Sequence, residues 1–196
     1  MTGEVDEQPL VEAAIARARR AGFPFSSDPE VGRLLAVLAA HLPERARVLE
    51  LGTGTGVGTA WIVSGLLPRT DVTVLTVEQD PETAALAAGG DWPSLVELRR
   101  GDALEVLLQS GTFDLIFADA PAGKWHGLDR TIAALSPHGM LIVDDMTPLP
   151  DWTDSQRDAQ ERVRRTLLAT PELTSVELAC GSGVIMSVRA PKRTTL

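Results

Sequence analysis

The sequence contains very little thiol and no phenol. Its 196 residues include one cysteine, Cys180, and no tyrosine. A single cysteine excludes a framework of intramolecular disulfides, and the lack of tyrosine leaves a binding pocket few aromatic hydroxyl groups with which to recognise a ligand.

No apolar stretch approaches the roughly 20 residues that a membrane-spanning helix needs. The first ten residues have neither a basic nor an apolar segment of the signal-peptide kind. We therefore expect a cytoplasmic protein with no membrane partner.

Positive charge is also scarce. Eighteen lysines and arginines stand against 27 aspartates and glutamates, which gives a formal net charge of -9 at pH 7. An anionic surface repels a polyphosphate backbone, so nucleic acid is a disfavoured partner.

The length fits a single domain. We expect one domain over residues 1–196, with helices at Val11–Ala21 and Pro29–His41 inside an N-terminal segment, 1–45, and a core over 46–196.

Short apolar runs alternate with helix-length segments from Arg47 onward. In order, the runs are RVLEL, VTVLTV, LVELR, FDLIFA, MLIVDD, LTSVELA and GVIMSVR. Helical segments at 58–67, 81–88, 103–108 and 127–135 separate the first five runs, which is typical of βαβ units and a parallel sheet. A helix over Ser155–Leu168 leads to the last two, which a glycine-containing turn joins as an antiparallel hairpin. The sequence predicts an α/β, doubly wound, seven-stranded sheet with helices on both faces.

The loop after the first strand carries glycine at every second position. These glycines are Gly52, Gly54, Gly56 and Gly58. A glycine-rich turn between a strand and a helix lets backbone N–H groups approach a ligand closely, and this suits both a dinucleotide and a sulfonium nucleoside. The dinucleotide fingerprint G-x-G-x-x-G lacks its third glycine in both registers, at Val57 and at Thr59. A nicotinamide dehydrogenase is therefore disfavoured.

The spacing Glu50-x-Gly52-x-Gly54-x-Gly56 resembles motif I of the class I S-adenosylmethionine-dependent methyltransferases, whose fold is Rossmann-like. The segments VLTVEQDP and RRGDALEVL resemble the next two motifs of that family. The resemblance implies that Glu78 binds the ribose hydroxyls and that Asp102 accepts a hydrogen bond from the adenine amino group, although Asp102 also suits a helix N-cap. It implies that residues 1–45 cover the cofactor and substrate site. The implied cofactor-binding residues are Glu50, Gly52, Thr53, Gly54, Gly56, Glu78, Gln79, Asp102, Ala103 and Asp119.

Residues 113–146 resemble one branch in particular, the small metal-dependent catechol O-methyltransferase-like family. That family carries an aspartate after the fourth strand, a lysine soon after it, and an Asp-Asn pair after the fifth. Asp119, Lys124 and the pair Asp144 and Asp145 stand here. The resemblance implies Mg²⁺ or another divalent cation on Asp119, Asp144 and Asp145, with Asp119 and Lys124 catalytic and Lys124 as the base. Two departures are Asp145 in place of asparagine and a lysine five residues after Asp119 instead of three.

Several alternatives remain open on the acceptor side. Lys124 can be a solvated loop residue, and His126 can replace it as the base. Trp125 and Trp152 can wall a flat acceptor or simply pack against the domain. We expect an O-methyltransferase that acts, as a homodimer, on a small hydroxylated aromatic acceptor. An RNA (tRNA) methyltransferase of the same fold, which the acid excess disfavours, and a non-catalytic S-adenosylmethionine-binding module are the alternatives.

Overall fold

The computed structural model describes residues 9–190, so the first eight residues of the predicted N-terminal segment lie outside the described part. The helices are α1 (Pro9–Ala21), α2 (Pro29–Ala40), α3 (Val57–Leu66), α4 (Pro81–Ala88), α5 (Ala103–Gln109), α6 (Pro121–Lys124), α7 (Leu128–Ala133) and α8 (Asp154–Ala169). The strands are β1 (Arg47–Leu51), β2 (Thr73–Glu78), β3 (Val96–Arg100), β4 (Phe113–Ala118), β5 (Leu135–Val143), β6 (Leu173–Leu178) and β7 (Val184–Arg189). Within residues 9–190, no helix is both long and apolar enough to cross a membrane.

The seven strands form one sheet in the order β3-β2-β1-β4-β5-β7-β6. Strands β1 to β5 pair in parallel, and β7 runs antiparallel to both β5 and β6. The predicted α/β sheet with its C-terminal antiparallel hairpin is confirmed. The strand order reverses between β1 and β4. In such sheets ligands bind beyond the carboxyl ends of the strands at this switch point, so the loops after β1 and β4 border the same cleft.

Helices cover both faces of the sheet. Leu35 of α2 and Ile62 of α3 share a buried apolar cluster with Val48 of β1. The next residue of β1, Leu49, belongs to a second cluster on the opposite face, with Leu167 of α8. A parallel strand that is buried on both faces reads as a continuous apolar run, which is why the strands were recognisable in the sequence. Helix α1 packs on the outer side of α3 and forms an extra layer.

Local details differ from the prediction at two places. Strand β5 begins at Leu135, which was expected in a helix that ends there. Leu135 pairs with Phe113, and the register shifts before the next pair, so the strand starts earlier than its apolar run. The short helix α6 was not predicted.

Candidate active site

The glycine loop after β1 requires its glycines. Gly52, Gly54 and Gly56 have φ angles of 100°, 55° and 90°, which lie in the left-handed region that favours glycine. A Cβ atom on Gly52 would lie only 2.9 Å from the carbonyl oxygen of Asp119. The Asp119 N–H in turn donates to the Leu51 carbonyl oxygen at 2.9 Å. The start of the glycine loop and the end of β4 are therefore in direct contact.

Glu50, at the end of β1, is a buried carboxylate with one occupied oxygen. Its side chain is 1% exposed. Its Oε2 atom accepts hydrogen bonds from the hydroxyl groups of Thr59 and of Thr76, the latter at 2.6 Å, and Thr53 donates to Thr76 at 2.6 Å. The Oε1 atom has no hydrogen-bond partner among residues 9–190. Burial raises the pKa of Glu50 to about 7, although the two threonine hydrogen bonds lower it.

Gly58 makes room for that free oxygen. A Cβ atom on Gly58 would lie 2.3 Å from Glu50 Oε1 and 3.3 Å from the Ser27 hydroxyl oxygen. Gly58 lies in the first turn of α3, whose backbone any residue can adopt, so the close approach of the carboxylate accounts for the glycine. In the sequence, the only indication of this close approach was that Gly58 continues the alternating glycine series beyond the three glycines of the methyltransferase motif.

The residues expected to bind the adenosine lie at the ends of β2 and β3. Glu78 accepts a hydrogen bond from Gly54 N–H through Oε2 and one from Asp80 N–H through Oε1, each at 2.9 Å. Asp102 is the N-cap of α5 and accepts from Leu104 N–H at 2.8 Å. Gly101 N–H donates to the Glu78 carbonyl oxygen at 2.9 Å, so these two ends lie side by side. Two further predicted cofactor-binding residues lie next to these acids: Gln79 is exposed and Ala103 is buried.

The N-terminal helix and the loop after α4 lie directly on the glycine loop. Arg17 of α1 donates from Nε to the Thr55 carbonyl oxygen at 2.8 Å, and its guanidinium carbon lies 5.4 Å from the centroid of the Trp92 ring. Cβ atoms on Gly54 and Gly56 would lie 3.0 Å from the Phe23 ring and 2.6 Å from the Trp92 ring, respectively. Sequence reasoning missed Arg17, Phe23 and Trp92 because no local pattern relates them to the loop.

The ends of β4 and β5 meet at a buried lysine. Lys124 is 1% exposed, and its Nζ atom lies 2.7 Å from Asp145 Oδ2 and 3.8 Å from Asp119 Oδ1. It also donates to the Asp144 carbonyl oxygen at 3.3 Å. The structure therefore places Asp119, Asp144 and Asp145 around one ammonium group.

Comparisons with known proteins identify the family. A methyltransferase domain model matches residues 49–146. A protein of Mycolicibacterium vanbaalenii that is named as an O-methyltransferase is 34% identical over 198 residues, which cover 94% of this chain and 86% of the relative. The chain belongs to the class I S-adenosylmethionine-dependent O-methyltransferases. The predicted family and enzyme class are confirmed.

Solved structures agree with the fold of this O-methyltransferase. A crystal structure described as an O-methyltransferase of Klebsiella pneumoniae has a TM-score of 0.80 and 26% identity and covers 95% of this chain and 92% of its own. A cofactor-bound protein from MTB also has a TM-score of 0.80 and 26% identity, with 97% and 94% of the two chains covered. The similarity thus spans the N-terminal helices as well as the sheet.

Asp144 is the least exposed of the three carboxylates in the cluster around Lys124 of this O-methyltransferase. It is 2% exposed, and its Oδ1 atom accepts from the Ser182 hydroxyl group and, at 2.8 Å, from Asp145 N–H. Burial raises the pKa of Asp144, and the Ser182 hydrogen bond opposes this shift. Burial also raises the pKa of Asp119 well above its ordinary value, against the lowering effect of Lys124. Ser182, from the turn between β6 and β7, was not predicted as a site residue.

The predicted metal ligands do not form a metal site in the part of the chain that the structure describes. Asp145 has a φ angle of 59° and its carboxylate pairs with Lys124, while Asp144 Oδ1 already accepts two hydrogen bonds. The donor set of Asp119, Asp144 and Asp145 is thus arranged for an ammonium group and does not fit a divalent cation. The physical reason is the insertion of the Lys124 side chain into the cluster.

One aromatic side chain lies beside the lysine of this O-methyltransferase, and a second packs against the first. Trp125 and Trp152 meet edge to face, with ring centroids 6.0 Å apart and an interplanar angle of 90°, and Lys124 Nζ lies 4.9 Å from the centroid of Trp125. His126, the alternative base, is exposed. The burial of Lys124 shows that it is no solvated loop residue.

Proposed function

We propose that this O-methyltransferase moves the methyl group of S-adenosylmethionine to a hydroxyl group of a small aromatic acceptor. The observation that carries the proposal is the close approach of Gly52 to Asp119. Through this approach the end of β1, which carries the free oxygen of Glu50, lies next to the cluster around Lys124. Methyl transfer is an in-line displacement that depends on holding both reactants in contact, and two adjoining subsites meet this need.

The residues around the glycine loop fit the cofactor. The free, buried Oε1 atom of Glu50 suits the cationic amino group at the methionine end of S-adenosylmethionine, because a buried carboxylate gains most from a charged donor. Gly52, Thr53, Gly54 and Gly56 would surround this end. The adenosine end would lie toward Glu78, Gln79, Asp102 and Ala103. When bound, the sulfonium supplies an electrophilic methyl group.

Asp119 and Lys124 have different roles in this proposal. Lys124 is already the cation of an ion pair with Asp145, so in this proposal it serves as a fixed positive charge beside the acceptor oxygen and not as the base that the resemblance implied. The acceptor hydroxyl gives its proton to Asp119, whose pKa is raised by burial, while its oxygen forms a bond to the methyl carbon. The sulfur keeps the electron pair of the broken carbon–sulfur bond, so charge and atoms balance.

The acceptor class follows from the aromatic pair. Trp125 lies beside Lys124 and meets Trp152 edge to face, and flat rings pack well against such indole surfaces. This supports a phenol or catechol over an aliphatic alcohol.

Further features of the site and protein remain proposals. Contacts of Arg17 and Phe23 with the glycine loop support a single domain, 1–196, in which the segment 1–45 covers the site. A homodimer and a cytoplasmic location are also kept as predictions, which light scattering and cell fractionation test. Mg²⁺ is not part of the proposal, because the contacts of Asp144 and Asp145 leave no donor set that fits a divalent cation.

Calorimetry with S-adenosylhomocysteine tests the cofactor subsite, and mass spectrometry of a panel of phenols, catechols and flavonoids tests the transfer. We expect cofactor binding and a mass gain of one methylene on at least one acceptor. Asp119→Asn should lower kcat by about 100-fold, since it removes the proton acceptor, whereas the exposed Asp129→Asn should leave kcat unchanged. No detectable heat at millimolar S-adenosylhomocysteine would refute the proposal.

A further inference from the structure

We infer that the ammonium group of Lys124 takes the place of a divalent cation in the acceptor site, so that methyl transfer by this enzyme needs no metal ion. The inference rests on the proposed function, since it concerns the group that faces the acceptor oxygen. It departs from the metal-dependent branch that residues 113–146 resemble.

The contacts of Lys124 are those of a cation at the centre of an acidic site. Its Nζ atom lies 2.7 Å from Asp145 Oδ2, 3.3 Å from the Asp144 carbonyl oxygen and 3.8 Å from Asp119 Oδ1. Lys124 is also one of only two lysines in the chain. A buried ammonium group surrounded by oxygen atoms is fully compensated, as buried charges must be.

The backbone of α6 directs the lysine inward. Gly123 has a φ angle of 90° and non-helical geometry within the turn, and a Cβ atom there would lie 2.4 Å from Leu51 Cδ1. The Gly123 carbonyl oxygen accepts from the Thr131 hydroxyl group at 2.7 Å, and its N–H donates to the His126 carbonyl oxygen at 2.7 Å. The two extra residues between Asp119 and Lys124 therefore form a fixed turn that packs against β1 and α7.

A divalent ion and this ammonium group compete for the same oxygen atoms. A metal ion on Asp119 and Asp145 would lie within a few ångströms of Nζ, and the repulsion between like charges at that distance is strong in a site with little water. The Ser182 and Asp145 N–H donors hold Asp144 Oδ1 in addition. The chemical role that remains for a cation, stabilising the developing negative charge on the acceptor oxygen, falls to Lys124.

Metal binding is measured directly on the wild-type protein by titration with Mn²⁺, followed through the electron paramagnetic resonance signal of the free ion. We expect no stoichiometric binding at millimolar Mn²⁺, and we expect turnover to be the same in EDTA as in Mg²⁺. A site with one bound Mn²⁺ per chain at micromolar concentration, or a loss of turnover in EDTA that Mg²⁺ restores, would overturn the inference.

Lys124→Met removes the charge while keeping a similar side-chain length. The three aspartates, no longer paired with an ammonium group, should then bind Mn²⁺ more tightly by on the order of 100-fold, because the repelling charge is gone. Turnover in EDTA should fall by about 100-fold. Lys124→Arg keeps the charge and is the matched control, which should bind no more Mn²⁺ than the wild type. Unchanged Mn²⁺ affinity in Lys124→Met would contradict the inference, and the wild-type titration decides it if that variant does not fold.

Failure of the proposed function has a different signature. If S-adenosylhomocysteine does not bind, or if no aromatic acceptor is methylated, the proposed reaction fails, whereas the Mn²⁺ titrations still report whether Lys124 occupies the cation position. Cofactor binding and turnover combined with a stoichiometric metal requirement would preserve the proposed function and refute the inference.

Discussion

Glu50 and Asp144 end two parallel strands, β1 and β5, and are buried to nearly the same extent, with 1% and 2% of their surface exposed. Their surroundings differ in charge. Only neutral hydroxyl groups donate to Glu50 within residues 9–190, whereas Asp144 belongs to a cluster that contains the ammonium group of Lys124. Burial alone therefore does not define a ligand site. The half of the site around Glu50 has a buried acid without a cation, so it depends on the charge of its ligand. The half around Asp144 contains its own cation, Lys124, and does not.

Glu50→Gln tests most directly whether the uncompensated acid binds the charged end of the cofactor. It keeps the shape and the threonine hydrogen bonds but removes the negative charge. We expect the affinity for S-adenosylhomocysteine to fall by about 100-fold or more, because removing one member of a buried charge pair costs roughly 3–5 kcal/mol. Calorimetry measures the change. Glu97→Gln is the control, since Glu97 is 54% exposed and pairs with Arg99 at the surface; equal affinities in the two variants would contradict the role of Glu50.

The same variant should stabilise the cofactor-free protein at high pH. The pKa of Glu50 is about 7 in the folded state against 4.5 ordinarily. The wild type therefore loses stability as the pH rises from about 4.5 to 7, because the unfolded chain ionises this group more readily. Glu50→Gln lacks this loss, so its free energy of unfolding relative to wild type should be larger at pH 8 than at pH 5 by about 2 kcal/mol. Urea denaturation at the two pH values measures this difference, and a difference that does not change with pH would contradict a raised pKa.

Gly58→Ala tests whether space beside Glu50 matters. The added methyl group would lie 2.3 Å from Glu50 Oε1 and 3.2 Å from Phe117 Cε1, so the carboxylate must move from its threonine donors. We expect a loss of about 2 kcal/mol in the free energy of unfolding together with weaker binding of S-adenosylhomocysteine. Gly101→Ala is the matched control, because a Cβ atom there meets nothing within 4 Å. Thermal unfolding measures the stability and calorimetry measures the affinity. Equal stability and equal affinity in the two alanine variants would contradict the role of space beside Glu50.

Ser182→Ala should have the smallest effect, because it acts on the half that carries its own cation. It removes one donor from Asp144 Oδ1 and should lower the free energy of unfolding by about 1 kcal/mol. The affinity for S-adenosylhomocysteine should stay that of the wild type. The exposed Ser155→Ala in α8 serves as the control for stability. A large loss of cofactor affinity in Ser182→Ala would show that the two halves are not electrostatically separate.

Much of the fold could be predicted because it depends on local patterns. Strands such as β1 are buried on both faces and read as apolar runs, and the glycines at positions 52, 54 and 56 mark a loop with left-handed backbone. The acids after β4 and β5 could be placed at one edge because parallel strands end together. The beginning of β5 was misplaced, since Leu135 joins the sheet through a long-range pair with Phe113.

The electrostatics of the site could not be predicted, because they depend on contacts between distant elements. The environment of Glu50 requires Thr59 from α3 and Thr76 from β2. The position of Lys124 requires a turn that packs on Leu51. From the sequence alone, three aspartates and a lysine are equally compatible with a metal site that uses the lysine as a base and with an ion pair.

The contact between Gly52 and Asp119 is made by backbone atoms, and this has a consequence for how the enzyme can change. Under the proposed function, two strand ends of one sheet set the separation between methyl donor and acceptor, while the tryptophans proposed to face the acceptor lie in the connections outside the sheet. Substitutions at Trp125 or Trp152 can therefore alter which acceptor fits while the transfer distance stays constant. The acceptor specificity can thus change without a change in how the reacting atoms are aligned.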